Sequence, residues 1–172
     1  MILGMIYGLR RSEVAGLKWS GIDFKNNSLI VERTMTRFST VVEKETTKNE
    51  SSNRTLPLNQ EVKSFLLRQR AAQSENKLRM GRSYQDTDYV CRWPDGHGVS
   101  CSNISSKFKV FLSANGIPAN VRFHDLRHSC ASYLLRAGCS MKEIADWHGH
   151  ADIGAAMNIY THLDKRDQTE SR

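Results

Sequence analysis

The residues best suited to chemistry lie in one short stretch, 123–128, which reads FHDLRH. His124 and Arg127 are three residues apart, so in a helix they share one face, and His128 lies beside them. An arginine guanidinium presents a fixed fork of hydrogen-bond donors, and an imidazole beside it can donate or accept a proton. The pair therefore suits a cluster of anionic oxygens, above all a phosphate.

A second reactive group is Tyr160, near the end of a predicted helix that Asp152 caps. A tyrosine hydroxyl has an ordinary pKa of about 10, so it is a poor nucleophile at neutral pH. It becomes a good one where cations stabilise the phenolate and a base accepts the proton. Arg127, His124 and His150 could supply these functions. Such chemistry needs no metal, and the sequence has no acidic cluster that would hold one.

Two more cations precede this stretch. Arg10 follows an apolar run and precedes a helix for which Ser12 is the predicted N-cap, with Glu13 in the first turn. Lys48 lies in a polar, turn-rich segment near a predicted hairpin tip, from which a lysine can reach a bound ligand and protonate a leaving oxygen. Taken singly, both residues are more typical of solvated surface side chains.

The elements that would position these residues form an α+β, mainly helical pattern. Segment 22–58 predicts a small antiparallel sheet of about three strands, in which 22–24 and 29–31 form a hairpin and strands follow at 41–42 and 55–56. Helices are predicted from a cap at Asn59 to about residue 80, from Ser102 or Asn103 to 112, and from 124 to Gly138. Two more follow caps at Ser140 and Asp152.

Composition places these elements in a soluble, basic protein. The 172 residues fit one domain, with a formal net charge of +7 and a pI near 9.4, which favours a polyanionic partner. No apolar run approaches the roughly 20 residues that span a bilayer. The four cysteines lack metal-ligand spacing and predict reduced thiols in the cytoplasm. The uncapped apolar start, 1–9, suggests a piece of a longer protein that lacks an N-terminal part.

Four motifs then occur together, in order. They are GLRRSE at 8–13, Thr47-Lys48 ahead of RTLPL at 54–58, HDLRH at 124–128, and Gly149-His150 followed by YTH at 160–162. Over nearly its whole length the chain resembles the catalytic domain of the tyrosine recombinases, the phage integrase family. Each motif alone is weak evidence, but all four in order are specific.

The resemblance implies a helix-rich catalytic domain over 1–164 with a polar tail at 165–172, and an absent N-terminal core-binding domain. It implies that Tyr160 attacks a DNA phosphate, forms a 3′-phosphotyrosine and frees a 5′-hydroxyl, after which a second 5′-hydroxyl reseals the strand. No cofactor and no metal are implied. The implied partner is double-stranded DNA at attachment or recombination sites, bound as a tetramer by the full-length protein, whereas this piece can be a monomer.

Each matching residue receives an implied role. The arginines would clamp the non-bridging phosphate oxygens, His124 would act as base or donor, and Lys48 would be the general acid. His148 and His150 both adjoin Gly149, and the glycine favours His150 as the phosphate donor. The implied catalytic residues are Arg10, Lys48, His124, Arg127, His150 and Tyr160, with Glu13 and His128 in support. An Arg127→Ala variant is expected to lose strand cleavage and keep its fold.

Other functions fit parts of the sequence. HDLRH resembles the HExxH helix of zinc hydrolases, but aspartate is one methylene shorter than glutamate and Arg127 would place a cation beside the metal. Segment 141–147 with a turn at Gly149 mimics a helix-turn-helix, so a non-catalytic DNA-binding module is an alternative. A type IB topoisomerase shares the phosphotyrosine chemistry. Tyr160 also has the spacing of a core tyrosine.

Overall fold

The computed structural model describes residues 1–32 and 53–149. Within them, an α+β, mainly helical fold is confirmed, with one three-stranded antiparallel sheet. The helices are α1 (Ile2–Tyr7), α2 (Arg11–Gly16), α3 (Gln60–Met80), α4 (Cys101–Ala114), α5 (Asp125–Arg136) and α6 (Met141–His148), and the strands are β1 (Ile22–Asp23), β2 (Ser28–Val31) and β3 (Arg54–Pro57). The strand predicted at 41–42 and the helix predicted after Asp152 lie outside the described residues.

The sheet has the order β1-β2-β3, with Leu29 of β2 opposite Ile22 on one side and Leu56 on the other. The β1–β2 turn is closed by the Asp23 carboxylate, which accepts hydrogen bonds from the backbone amides at 25 and 26. Along β2 the side chains alternate, since Leu29 and Val31 are buried and Ile30 is exposed. One face of the sheet therefore packs on the core, as the alternation in the sequence predicts.

Two of the predicted helix starts are confirmed. The Asn59 side chain accepts a hydrogen bond of 2.9 Å from the Val62 amide at the start of α3. At α6, Ser140 and Glu143 form the predicted capping box, in which each side chain accepts from the other residue's backbone amide. These contacts satisfy amides that a helix leaves without intrahelical partners, which is why the local sequence predicts them.

Two other predicted starts are wrong by about two residues. Helix α4 is capped by Ser100, whose hydroxyl accepts from the Asn103 amide, and not by Ser102 or Asn103. At α2 the N-cap is Arg10 and not Ser12, because the Glu13 carboxylate accepts the Arg10 amide at 2.9 Å. At α4 several cap-forming residues, Ser100, Ser102 and Asn103, stand close together, so the sequence does not single one out. At α2 the helix starts earlier than its only cap-forming residue, Ser12, because Glu13 binds the Arg10 amide.

The apolar residues form two clusters of very different size. The main core gathers buried side chains from α1 to α4, all three strands and Phe123 just before α5, with Leu66 of α3 and Leu29 of β2 fully buried. A small second cluster, centred on Ala131 of α5 and Ile144 of α6, joins these two helices. None of the described helices is long and apolar enough to cross a membrane.

Candidate active site

The site is built around one buried carboxylate, Glu13 in the first turn of α2. Its side chain is 3% exposed and bonds two arginines from different parts of the chain. The Arg10 Nη1 atom donates to Oε1 at 2.8 Å. The two terminal nitrogens of Arg54, at the start of β3, donate to Oε1 and Oε2 at 3.2 and 3.0 Å. Glu13 therefore fixes two guanidinium groups side by side.

A third arginine, Arg127 in the first turn of α5, enters the same cluster. Its Nη1 atom lies 4.0 Å from Glu13 Oε2 and donates to the Gly8 carbonyl at 2.8 Å. Its other terminal nitrogen donates to the His148 carbonyl at the end of α6. The Arg127 side chain is only 4% exposed, whereas that of Arg10 is 37% exposed. Arg127 thus forms the buried wall of the cluster and Arg10 its solvent-facing edge.

The turn between α1 and α2 allows this close approach because residue 8 is a glycine. Gly8 ends α1 with a φ of 61°, in the left-handed region that favours glycine. A Cβ atom at this position would overlap the imidazole ring of His148. The absence of a side chain lets the Gly8 carbonyl reach Arg127 and lets α6 pack directly on the turn.

The charges of the cluster shift the pKa values of its members. Burial and the nearby charge of Arg10 lower the pKa of Arg127 to about 9, although Glu13 opposes this shift. Burial would raise the pKa of Glu13, but hydrogen bonds and positive charge from Arg54 and Arg10 outweigh it and lower that pKa. Around neutral pH the three arginines are cationic and Glu13 is anionic, so positive charge is in excess.

His124 lies at the N-terminal end of α5, where its ring is exposed and meets the His128 ring edge-on at a centroid distance of 5.0 Å. Partial burial, His128 and the nearby arginines lower the pKa of His124 below its ordinary value. The shift favours the neutral imidazole, which can accept a proton. His128 contacts His124, and its supporting role stays a prediction.

His124 and Arg10 open onto a common groove of about 640 Å³. Additional cations line this groove, namely Arg11, Lys109 and Arg122. Its floor is apolar and includes Phe108 and Phe123. The outer edge of the arginine cluster thus faces a basic, solvent-accessible cleft that can admit an extended anionic ligand.

Four of the predicted site residues, Arg10, Glu13, His124 and Arg127, are brought together with the supporting His128. The other three, Lys48, His150 and Tyr160, lie outside the described residues. His148, the alternative to His150, is 2% exposed, and its Nδ1 atom lies 2.9 Å from the Ile144 carbonyl inside the fold. Within 1–32 and 53–149, no group of three or more His, Cys, Asp or Glu residues could hold a metal ion.

Arg54 is the residue whose part in the site was missed. The sequence shows only an arginine at the start of a strand, in the RTLPL motif. Its partners, Glu13 and the Trp147 carbonyl, are 41 and 93 residues away in sequence. No local pattern encodes such contacts. An arginine at the start of a short strand, just ahead of the apolar Leu56, was the available signal.

The family follows from comparison with known sequences. The sequence model of the phage integrase family matches residues 1–167. The chain belongs to this family. Among similar proteins, the XerC-like tyrosine recombinase of Caldanaerobacter subterraneus subsp. tengcongensis is 31% identical over 95% of this chain and 45% of its own length. The integrase of Staphylococcus phage L54a is 25% identical over 95% of this chain and 47% of its own length.

Solved structures of phage integrase relatives share the fold. The Tn1549 transposon integrase superimposes with a TM-score of 0.75 at 20% identity, over 99% of this chain and 56% of that one. The XerA recombinase superimposes with a TM-score of 0.70 at 24% identity, over 99% of this chain and 54% of that one. The chain therefore spans about half the length of the relatives that it matches.

Proposed function

We propose that this chain is the catalytic part of a site-specific DNA recombinase, an integrase that cleaves and rejoins DNA strands through a covalent 3′-phosphotyrosine. The observation that carries the proposal is the arginine cluster. Three guanidinium groups, from Arg10, Arg54 and Arg127, converge on the single carboxylate of Glu13. Because one carboxylate cannot balance three cations, the cluster favours an anion at its open edge.

A DNA phosphodiester has the charge and shape that this edge requires. It is anionic, and negative charge builds on its non-bridging oxygens while a nucleophile attacks. Arg10 is partly exposed at the groove and can donate to these oxygens, while the buried Arg127 adds a cation behind it. The lowered pKa of Arg127 fits this role, since a bound anion would stabilise its charged form.

The proposed reaction proceeds in two balanced steps. The Tyr160 oxygen bonds to phosphorus while the bond from phosphorus to the 5′ oxygen breaks, and the phenol proton passes to neutral His124. Lys48 gives a proton to the departing 5′ oxygen, and His150 donates a hydrogen bond to the phosphate. In the second step a 5′-hydroxyl from a partner strand bonds to phosphorus and gives its proton to the now neutral Lys48. The bond from phosphorus to the Tyr160 oxygen breaks, and protonated His124 returns its proton to that oxygen, which restores Tyr160 and a DNA phosphodiester. One phosphodiester replaces another, so no external energy source is needed.

Double-stranded DNA is the proposed partner. The net charge of +7 and the basic groove beside Arg10 suit its backbone. Relatives with this fold were solved with DNA, including the Tn1549 integrase with transposon right end DNA and the XerH recombinase with its difH substrate. We propose that residues 1–164 form the catalytic domain of a longer protein that acts as a tetramer on DNA. The four cysteines are free, in keeping with a cytoplasmic location.

A suicide-substrate assay tests this function even while the target sequence is unknown. The protein is incubated with a pool of nicked duplexes whose arms are randomised, with a chelator present, and covalent protein–DNA complexes are recovered under denaturing conditions. We expect covalent complexes with wild type and none with Tyr160→Phe. Tyr133→Phe, a change at a tyrosine that is 74% exposed on α5, is the matched control and should behave as wild type.

Three results would contradict the proposal. Covalent complexes that persist in Tyr160→Phe would assign the nucleophile to another residue. Absence of complexes in wild type would argue against strand cleavage, and complexes that form only in a parallel incubation without chelator would indicate a metal-dependent reaction. DNA recovered from the wild-type complexes is sequenced, and the enriched arms define a substrate for later kinetics.

A further inference from the structure

The C-terminal end of α6 is held by two arginines that come from other elements. The Arg54 Nε atom donates to the Trp147 carbonyl at 2.7 Å, and Arg127 donates to the next carbonyl, that of His148. The last carbonyls of a helix have no intrahelical donors and carry partial negative charge, so cations are favourable there. Gly149, which follows, ends the helix with a φ of 62°.

The three side-chain nitrogens of Arg54 donate hydrogen bonds to partners on two different elements. Nε faces α6, whereas the two terminal nitrogens form the paired bonds to the Glu13 carboxylate. The side chain is 8% exposed, and it does not line the groove beside Arg10. Its guanidinium also lies against Gly149, where an added Cβ atom would come within 2.9 Å of Nη1. Arg54 is thus enclosed between α2 and the end of α6.

We infer that Arg54 is a positioning residue that fixes Arg10 and the C-terminal end of α6 relative to each other. It acts on Arg10 through Glu13, which bonds both the Arg10 side chain and the Arg10 amide. It acts on α6 through the Trp147 carbonyl, close to the point where the chain continues from Gly149 to His150. The inference rests on the proposed function, in which Arg10 clamps the phosphate and His150 and Tyr160 complete the site.

The conservative change Arg54→Lys separates this positioning role from a general contribution to stability. Lysine keeps the positive charge next to Glu13 but has a single nitrogen in place of a planar fork. It can bond the carboxylate or the Trp147 carbonyl, and it cannot reproduce the three bonds together. Arg54→Lys should therefore keep the fold and weaken the connection that Arg54 makes between Glu13 of α2 and the end of α6.

Arg92 offers a matched control. Its side chain is 9% exposed, and its Nη1 atom also bonds a backbone carbonyl, that of Thr87. These contacts lie in the loop region 84–98, and none involves Glu13 or α6. Arg92→Lys has the same chemistry and similar burial, so it reports what loss of an arginine fork costs elsewhere in the fold.

Hydrogen exchange tests the connection between α2 and α6 through Arg54 directly and needs no DNA. The Arg10 amide donates to Glu13 Oε2, and the Gly149 amide donates to the Asp146 carbonyl. In Arg54→Lys we expect both amides to exchange at least about tenfold faster, while the amide of Leu66 in α3 keeps its wild-type rate. Arg92→Lys should leave both amides unchanged. Unchanged exchange at Arg10 and Gly149 in Arg54→Lys would overturn the inference.

Kinetics on the enriched substrate test the consequence. In Arg54→Lys we expect DNA affinity within about twofold of wild type and a single-turnover rate of covalent complex formation at least about tenfold lower, because misplacement of catalytic groups costs rate more than binding. Arg92→Lys should cleave at the wild-type rate. Wild-type cleavage by Arg54→Lys would also overturn the inference. Absence of covalent complexes in wild type would contradict the proposed function instead, and hydrogen exchange would then decide the role of Arg54.

Discussion

The main core and the α6 region are held in place by different forces. Among the described residues, sixteen buried apolar side chains form the main core, whereas the cluster that joins α5 to α6 is centred on two, Ala131 and Ile144. Trp147 of α6 also packs against the main core, with its ring 6.0 Å from that of Tyr7, and the arginine bonds hold the last carbonyls of α6. Burial of apolar area is non-directional, but hydrogen bonds to a guanidinium fix angles as well as distances.

This difference suits the proposed chemistry. The free energy of the apolar core depends mainly on the area removed from water and on close packing, and not on the directions of individual bonds. The end of α6 adjoins the arginine cluster, where the proposed phosphate site would require accurate geometry, and it is set by directional polar bonds. The main core should therefore govern the free energy of unfolding, and the arginine cluster should govern the arrangement of the site.

The largest loss of stability is expected in the main core. Leu66 is fully buried on α3, so Leu66→Ala should lower the free energy of unfolding by about 3–5 kcal/mol, through lost apolar burial and a residual cavity. Leu67→Ala, the next residue along and 48% exposed, should change it by less than about 0.5 kcal/mol. Urea unfolding measures both. Equal losses in the two variants would argue against a core centred on this face of α3.

Replacement of Arg127 should have the next largest effect, and it should change both the free energy of unfolding and the arrangement of the site. Arg127→Met leaves the carbonyls of Gly8 and His148 without their donors and should cost about 3 kcal/mol. The expectation that Arg127→Ala keeps an intact fold does not allow for these two bonds. If phosphate binds the arginine cluster, it should raise the melting temperature of wild type and leave that of Arg127→Met unchanged. Thermal unfolding with and without phosphate measures this difference.

The matched change for Arg127 is Arg136→Met, at the exposed last turn of the same helix. This variant should unfold like wild type and respond to phosphate as wild type does. A phosphate response that survives in Arg127→Met would remove this residue from the anion site.

A smaller loss is expected from the second apolar cluster. Ile144 is 1% exposed, and Ile144→Ala should lower the free energy of unfolding by about 2 kcal/mol, the low end for such a change, because few buried neighbours surround it. Hydrogen exchange should show that α6 opens while α3 stays protected. Val110→Ala, at a site that is 65% exposed on α4, is the control. Global unfolding in place of local opening would contradict the separation of the two regions.

The smallest effect concerns pH. The pKa of Glu13 is lower in the folded chain than in the unfolded one, because hydrogen bonds and charge from Arg54 and Arg10 outweigh burial. Its contribution to stability is therefore present above the unfolded pKa and is lost as pH falls through the folded pKa. Glu13→Gln should flatten this acid limb in unfolding experiments, and Glu61→Gln, at an exposed site in the first turn of α3, should not.

The sequence predicted what local chemistry decides. The capping box at Ser140 and Glu143 and the cap at Asn59 depend on residues three apart, so they could be identified in advance. The cap of α4 could not, because Ser100, Ser102 and Asn103 are all competent and packing chooses among them. The class of fold was predictable for the same reason, since periodicity and turn residues define its elements one by one.

The candidate site could be predicted only in part, from helix spacing at some residues and from motif order at others. His124 and Arg127 share one helix turn, so their proximity follows from spacing, whereas Arg10 was assigned from the order of the motifs. The link between Arg10 and Arg54 depends on a shared carboxylate, and nothing in either segment indicates it. The assignments of Lys48, His150 and Tyr160 come from motif order alone and stay predictions.

The contact between Gly8 and His148 has a genetic consequence. A side chain at residue 8 would collide with the imidazole, so Gly8→Ala alone should abolish the proposed recombination activity in a genetic screen. A smaller residue at position 148 would remove the collision but not the backbone strain of a positive φ. Suppressors of Gly8→Ala should therefore arise first at position 148 and restore function only partially. A side chain at position 8 is therefore accessible only after a change at position 148, 140 residues further along the chain.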